Sequence, residues 1–165
     1  MTNAGVKVHW APEAIDAKKI ITALARDNGV KLIVKGKSMV SEEISLNEYL
    51  EQNGLEVVET DLGEFIIQLA GESPSHIVGP ALHKTKEQVA TLFHQKLGIP
   101  LTYDIEKLTA AARRILREKF LSAQMGITGV NFAVAETGSL AIVTNEGNGR
   151  MSTTLPRIHV ALMGL

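Results

Sequence analysis

Apolar positions recur at two different periods along this chain. In "AKKIITALARDNG", Ala17, Ile20, Ile21, Leu24 and Ala25 fall three and four residues apart, one stripe of a helix that Asn28-Gly29 stops in the left-handed region. Pro12 stands near its first turn, where a missing N–H costs nothing. Ahead of it, "VKVHW" alternates like a short strand. "VKLIVKG" is a strand of the buried type, and after the loop "KGKSM" a second helix is expected through "EEISLNEYLEQNG", ended by Gly54. "LEVVET" reads as the next strand.

"EFIIQLA" suits either a strand or a turn and a half of helix, and "HIVGP" reads as a short buried strand. Thr85-Lys86-Glu87-Gln88 matches a capping box, and Val89, Leu92, Phe93 and Leu97 form the apolar face of the helix it opens. Gly98 and Pro100 stop that helix. A longer one is expected from Ile105 to Gln124, with Leu108, Ala111, Ala112, Ile115, Leu116 and Phe120 as its stripe. From Ile127 the period falls to two: "VNFAVAETGSLAIVT" reads as two strands joined by Thr137-Gly138, with Leu140 and Ile142 pairing against Phe132 and Val134. Strands alternating with helices imply an α/β fold, an open and mostly parallel sheet with helices on both faces, and the hairpin adds antiparallel strands late in the chain.

The 165 residues, 45% of them hydrophobic, are enough for one domain with a core of its own. A formal net charge of -1 leaves no global field for nucleic acid or an anionic membrane. No apolar run is long enough for a membrane span, and the N-terminus lacks a signal-peptide pattern, so the expected location is cytoplasmic. The chain has no cysteine, which excludes disulfides, thiolate nucleophiles and cysteine-ligated iron–sulfur clusters within it. It closes on the strand-like "HVALMGL" with no polar tail, which reads as a fragment of a longer protein.

Candidate chemistry concentrates in two stretches. "VKGKSMVSEE" runs from a strand through Gly36, Lys37 and Ser38 into a helix start, the arrangement by which open α/β sheets offer backbone N–H groups, a cation and a hydroxyl to an anion. The same residues equally suit a plain turn with a serine cap and a solvated lysine. "TNEGNGRM" offers Asn148 and Arg150 for a carboxylate or phosphate, or a polar glycine-rich turn. It lacks the third glycine of a dinucleotide fingerprint and reads as running toward a strand rather than opening a helix. Glu136 ends a strand of the hairpin, with Arg150 as a candidate partner, and reads as a nucleophile or as a rim carboxylate. His9, His76, His83, His94 and His159 show no metal-ligand spacing, and "ARRILREK" lacks the aromatics of an RNA-binding patch.

The stretches "VKGKSMVSEEISLNE", "VVETDLGEFIIQLAGESPSHIVGPALHKTKEQV" and "MGITGVNFAVAETGSLAIVTNEGNGRMSTTLPRIHVALMG" resemble the LUD domain of the lactate-utilisation protein B family, over nearly the whole chain. The resemblance implies a fold like the glucosamine-phosphate deaminase, ribose-phosphate isomerase and CoA-transferase group (NagB/RpiA/CoA transferase-like). It implies a single LUD domain over 1–165, followed in family members by a C-terminal ferredoxin-like domain whose cysteines hold 4Fe–4S clusters, with none in this chain. The implied setting is a cytoplasmic three-component system that oxidises L-lactate to pyruvate, with its other subunits as partners. Anions bind at the carboxyl ends of strands in that fold group, which points to Lys37 and Ser38 as one wall and Glu136, Thr137, Asn148 and Arg150 as the other, around a small carboxylate or phosphate. CoA transferases of the group use a glutamate nucleophile. The alternative expectation is therefore an autonomous CoA-transferase or sugar-phosphate-isomerase-like enzyme acting through Glu136.

Overall fold

The computed structural model of the protein describes residues 1–72, 79–144 and 146–164. Its elements run α1 (Ala14–Asp27), β1 (Leu32–Lys35), α2 (Met39–Glu43), α3 (Leu46–Gln52), β2 (Glu56–Glu59), α4 (Leu62–Ala70) and α5 (Lys86–Leu97). They continue with α6 (Ile105–Ser122), β3 (Met125–Gly129), β4 (Phe132–Val134), β5 (Ser139–Ala141), α7 (Asn148–Thr154) and β6 (Ile158–Leu162). Four strands form a wholly parallel sheet in the order β2-β1-β3-β6, and β4 and β5 make a separate antiparallel pair.

Helices cover both faces of the parallel sheet because its strands are apolar on both. On one face Ile33, Val57, Met125 and Ile127 pack against Ile21 and Ala25 of α1 and Leu46 and Leu50 of α3. On the other, Leu32, Val34 and Val58 meet Phe65 of α4 and Leu116 and Phe120 of α6. A further apolar layer, with Ile66, Phe93 and Leu108, joins α4, α5 and α6. Local signals set several helix ends: Asn28 caps α1, with Gly29 at φ 60° beyond it, and Thr85 and Gln88 form the reciprocal capping box of α5. Asp104 accepts from the backbone of Glu106 and Lys107 to start α6. No helix among the described residues is long and apolar enough to cross a membrane.

Several expectations are corrected. "VKVHW" forms no strand: its residues are exposed, Trp10 by 74%. The single helix expected after "KGKSM" is two, α2 and α3, because Ser45 takes a left-handed backbone at φ 47° and breaks the hydrogen-bond ladder. "EFIIQLA" resolves as helix α4, capped by Asp61. The hairpin turns through 135–138 rather than Thr137-Gly138 alone, and Phe132 pairs with Ala141 and Val134 with Ser139. The hairpin stands apart from the core, with Phe132 63% exposed. Of the strand expected over "HIVGP", residues 76–80, positions 76–78 lie outside the described residues and Gly79 and Pro80 are not in a strand.

The largest correction lies at "TNEGNGRM". It opens a helix, α7, so a loop–helix context exists where the pattern pointed to a strand. Seven residues are too few to show helical periodicity, and Ser, Thr and Gly there carry no apolar stripe. Tertiary contact selects the helix instead. α7 lies against β3 at Gly126, where a Cβ would stand 2.9 Å from the Ser152 carbonyl carbon and 3.3 Å from Pro156 Cγ. Glycine in "MGITG" weakens the strand signal of β3 but permits that approach.

Candidate functional site

The carboxyl ends of β1 and β2 carry a buried charge pair. Parallel register sets Lys35 beside Glu59. The Lys35 ammonium, wholly inaccessible, lies 2.8 Å from Glu59 Oε1 and donates to Ser41 Oγ at 2.8 Å. Ser41 in turn donates to the Ser38 carbonyl at 2.7 Å, and the Asn47 amide donates to the same Glu59 Oε1 at 2.7 Å. Gln68 braces the strand from α4, accepting from Glu59 N and donating to the Val57 carbonyl. Lys35 and Asn47 thus both serve one oxygen of the Glu59 carboxylate, and the buried Oε2 has no hydrogen-bond partner among the described residues. Glu59 lines a cleft of about 600 Å³ between α2–α3 and α4. Glu42, Glu43, Glu48, Glu51, Glu59, Glu64 and Glu72 all contribute to its wall, and among the described residues no lysine or arginine does.

A second, smaller recess of about 60 Å³ lies at the ends of β1 and β3, lined by Gly36, Lys37, Thr128, Thr144, Asn148 and Gly149 among others. Asn148, buried at the start of α7, accepts from Thr144 Oγ1 at 3.2 Å. Thr128 is buried on β3 and shares a 2.8 Å hydrogen bond with His159 Nε2 on β6. Lys37 is half-exposed, with Glu64 Oε1 at 3.6 Å. Glu146 lies close enough to feel both Lys37 and Asp61, and its carboxyl is raised above the usual range, first by burial and then by the Asp61 charge. Lys37, Thr128, Thr144 and Asn148 therefore border a recess of one small anion's size, and the Lys37 ammonium lies near the Glu64 and Glu146 carboxylates.

The LUD domain family profile matches residues 1–165, the entire chain. The chain belongs to the LUD domain family. This LUD domain is 52% identical over 162 residues to Lactate utilization protein B of Bacillus pumilus, covering 98% of the chain and 34% of that protein. It is equally 52% identical to Lactate utilization protein B of Bacillus subtilis, with the same coverage of 98% and 34%. To the uncharacterized electron transport protein YkgF of Escherichia coli the identity is 48% over 165 residues, 100% of the chain and 35% of the relative. The chain thus spans about a third of the length of the curated relatives it matches. No solved structure matches it.

Of the residues singled out in the sequence, the LUD domain brings Lys37 and Asn148 to one recess and leaves the others elsewhere. Ser38 is buried and caps α2, its Oγ accepting from Ser41 N at 3.2 Å. Glu136 and Thr137 sit in the exposed hairpin turn, where the Thr137 hydroxyl bonds Ser139 Oγ at 2.9 Å. Arg150 is exposed on α7, and its backbone carbonyl accepts from the hydroxyls of Thr153 and Thr154. The expected Glu136–Arg150 pair does not form among the described residues: Glu136 is exposed on the turn of the separate hairpin and Arg150 is exposed on α7. Sequence reasoning missed Lys35, Glu59, Thr128 and His159. A lysine and a glutamate closing two otherwise apolar strands, "LIVK" and "EVVE", were the available signal for the first pair. The donor set does not fit an iron–sulfur or metal centre: the chain has no cysteine, and no cluster of three metal-ligating side chains occurs among the described residues.

His159 gives the LUD domain a pH signature. Burial lowers its pKa below the ordinary 6.5, so the unfolded chain takes up this proton first as pH falls. Stability from the neutral imidazole is complete above pH 6.5 and is lost as pH drops toward the lowered value, with no further loss below it. Glu72, held low chiefly by its hydrogen bond from Lys84, and Asp104, held low chiefly by the Lys107 backbone N–H, lose their contributions only below their ordinary 4.5 and 3.8. Urea midpoints measured from above pH 6.5 down through the His159 window, and kept above the carboxylate range, are therefore expected to fall less with acid in His159→Gln than in the wild type. Parallel pH profiles would contradict the assignment.

Proposed function

We propose that this LUD domain belongs to an iron–sulfur electron-transfer subunit of an L-lactate-oxidising system and supplies its recess for a small carboxylate, with the clusters carried by another part of the full-length protein. The names of its relatives support the setting: two are lactate utilization proteins, and one is described as an electron transport protein. The observation that carries the site is the meeting of Lys37, Thr128, Thr144 and Asn148 at the carboxyl ends of β1 and β3, where ligands gather in open α/β sheets. A 2-hydroxy acid matches that set: its carboxylate takes the Lys37 ammonium, and its hydroxyl exchanges hydrogen bonds with a threonine or the amide. The acidic edge formed by Asp61, Glu64 and Glu146 favours an anion that touches Lys37 directly over one held at a distance. The parallel sheet with both faces covered supports reading the fold as NagB/RpiA/CoA-transferase-like. An autonomous transferase or isomerase acting through Glu136 gains no support from the geometry, since that residue stands on an exposed turn away from either cavity.

The test uses the full-length protein with its partner subunits, assaying electron transfer from L-lactate. Lys37→Gln is expected to raise KM for lactate about tenfold, the loss of one charge-assisted hydrogen bond, while leaving the cluster spectrum unchanged. Unchanged lactate kinetics would remove the recess from the proposal. Absence of lactate-dependent reduction in the complete wild-type system would overturn the functional reading itself.

A further inference from the structure

The two edges of the parallel sheet are finished differently. β2 is the outer strand on one side and β6 on the other. In a parallel ladder each residue turns both of its backbone groups toward one neighbour, and successive residues alternate. The Glu56 N–H donates to the Lys31 carbonyl, so Glu56 and Val58 serve β1 while Val57 and Glu59 face outward. Gln68 of α4 closes that edge, its side-chain amide donating to the Val57 carbonyl at 2.7 Å and accepting from the Glu59 N–H at 2.9 Å. A strand arriving there would have to displace both bonds.

β6 has no such closure. The Ile158 N–H donates to the Gln124 carbonyl at 3.3 Å, which sets Ile158, Val160 and Leu162 toward β3 and turns the N–H and C=O groups of His159 and Ala161 outward. Among the described residues no strand pairs with that outer side. Open edges are ordinarily guarded by a charged side chain, a proline or a bulge. "IHVAL" contains no lysine, arginine, acidic residue or proline, and its register against β3 runs unbroken from Ile158 to Leu162, whereas "EVVE" has a glutamate at each end. The apolar layer is incomplete at the same place. Ile33, Met125 and Ile127 are fully buried, but Ile158, Val160 and Leu162, packed against the same cluster, are only half-buried.

An open edge by itself names no occupant, but two observations favour one. The chain spans about a third of the length of its curated relatives, so the full-length protein has ample polypeptide to supply another strand. A segment tethered to the same polypeptide also meets the edge at a far higher effective concentration than a separate molecule does. A second copy pairing β6 with β6 would gain only a five-residue edge, little of the roughly 1,200 Å² that a stable interface buries.

We propose that the outer edge of β6 takes a further strand from the part of the full-length protein outside residues 1–165. That strand is an extended segment whose backbone pairs with His159 and Ala161 and whose alternate apolar side chains continue the layer of Ile158, Val160 and Leu162. Proline is excluded from its pairing positions, since it has no N–H to donate. This does not rest on the lactate reading, and either stands if the other fails.

Hydrogen exchange of the full-length protein, purified alone and read residue by residue, tests the proposal. Corrected for intrinsic rates, the amides of His159 and Ala161 are expected to exchange within about tenfold of Val160, which donates inside the sheet, and to remain so after about tenfold dilution. A wider gap would overturn the proposal. Protection lost on dilution would give the edge to a second copy and overturn it as well. Ala161→Pro supplies an independent measurement, because an open edge tolerates a proline whose missing N–H would face water. With the added strand in place, this variant is expected to lower the melting midpoint of the full-length protein by about 5 °C or more, and a smaller shift would count against the pairing. If the variant does not fold, exchange in the wild type still decides.

Discussion

Lys35→Met is expected to lower the unfolding free energy by about 3–5 kcal/mol. The ammonium is fully buried, 2.8 Å from Glu59 Oε1, and its carboxylate partner is only 5% exposed. Removing the cation leaves that charge in a site with little water to solvate it, and Ser41 loses its donor as well. The pair need not itself be a large net stabiliser, because desolvating both ions offsets most of their attraction. Lys35→Met combined with Glu59→Leu is therefore expected to recover most of the loss. Urea unfolding of the two single variants and the double variant measures the coupling directly. A Lys35→Met cost below about 1 kcal/mol would mean that Glu59 is solvated through the cleft and that the charge pair is marginal.

Gly126→Ala is expected to cost about 3 kcal/mol, far more than one added methyl usually does. The new Cβ would overlap the Ser152 carbonyl oxygen and stand 3.3 Å from Pro156 Cγ. Neither neighbour is the end of a flexible side chain, so α7 must move off β3, a strand paired on both sides with β1 and β6. The displacement would reach the recess, since Asn148 and Gly149 begin α7. Gly54→Ala is the contrast: that residue has φ 80° with nothing within 4 Å of the added atom, and about 1 kcal/mol of left-handed strain is the whole expected cost. Thermal or urea unfolding of both variants compares steric overlap with backbone strain. Equal losses would refute the close-approach account of Gly126.

Local chemistry determined much of this protein from its sequence. The stripes of α1, α5 and α6, the Thr85–Gln88 capping box, the Gly29 and Gly98 stops and the apolar strands β1 and β2 are all short-range signals, and they suffice to imply a parallel sheet with helices on both faces. Lys37 was also legible as a polar residue in a strand-to-helix connection, and Asn148 as a polar residue of a glycine-rich stretch.

Tertiary structure decided the rest, because it depends on register and contact rather than on neighbouring residues. Only the β1–β2 register places Lys35 against Glu59, and only the β3–β6 pairing lets Thr128 reach His159. Docking against Gly126 makes a helix of "NGRMSTT", a segment with no helical stripe, while the hairpin carries Glu136 out to an exposed turn. The acidic cleft is the clearest case. Its glutamates are scattered from Glu42 to Glu72 in a chain of net charge -1, and folding α2, α3 and α4 around the end of β2 gathers them on one wall.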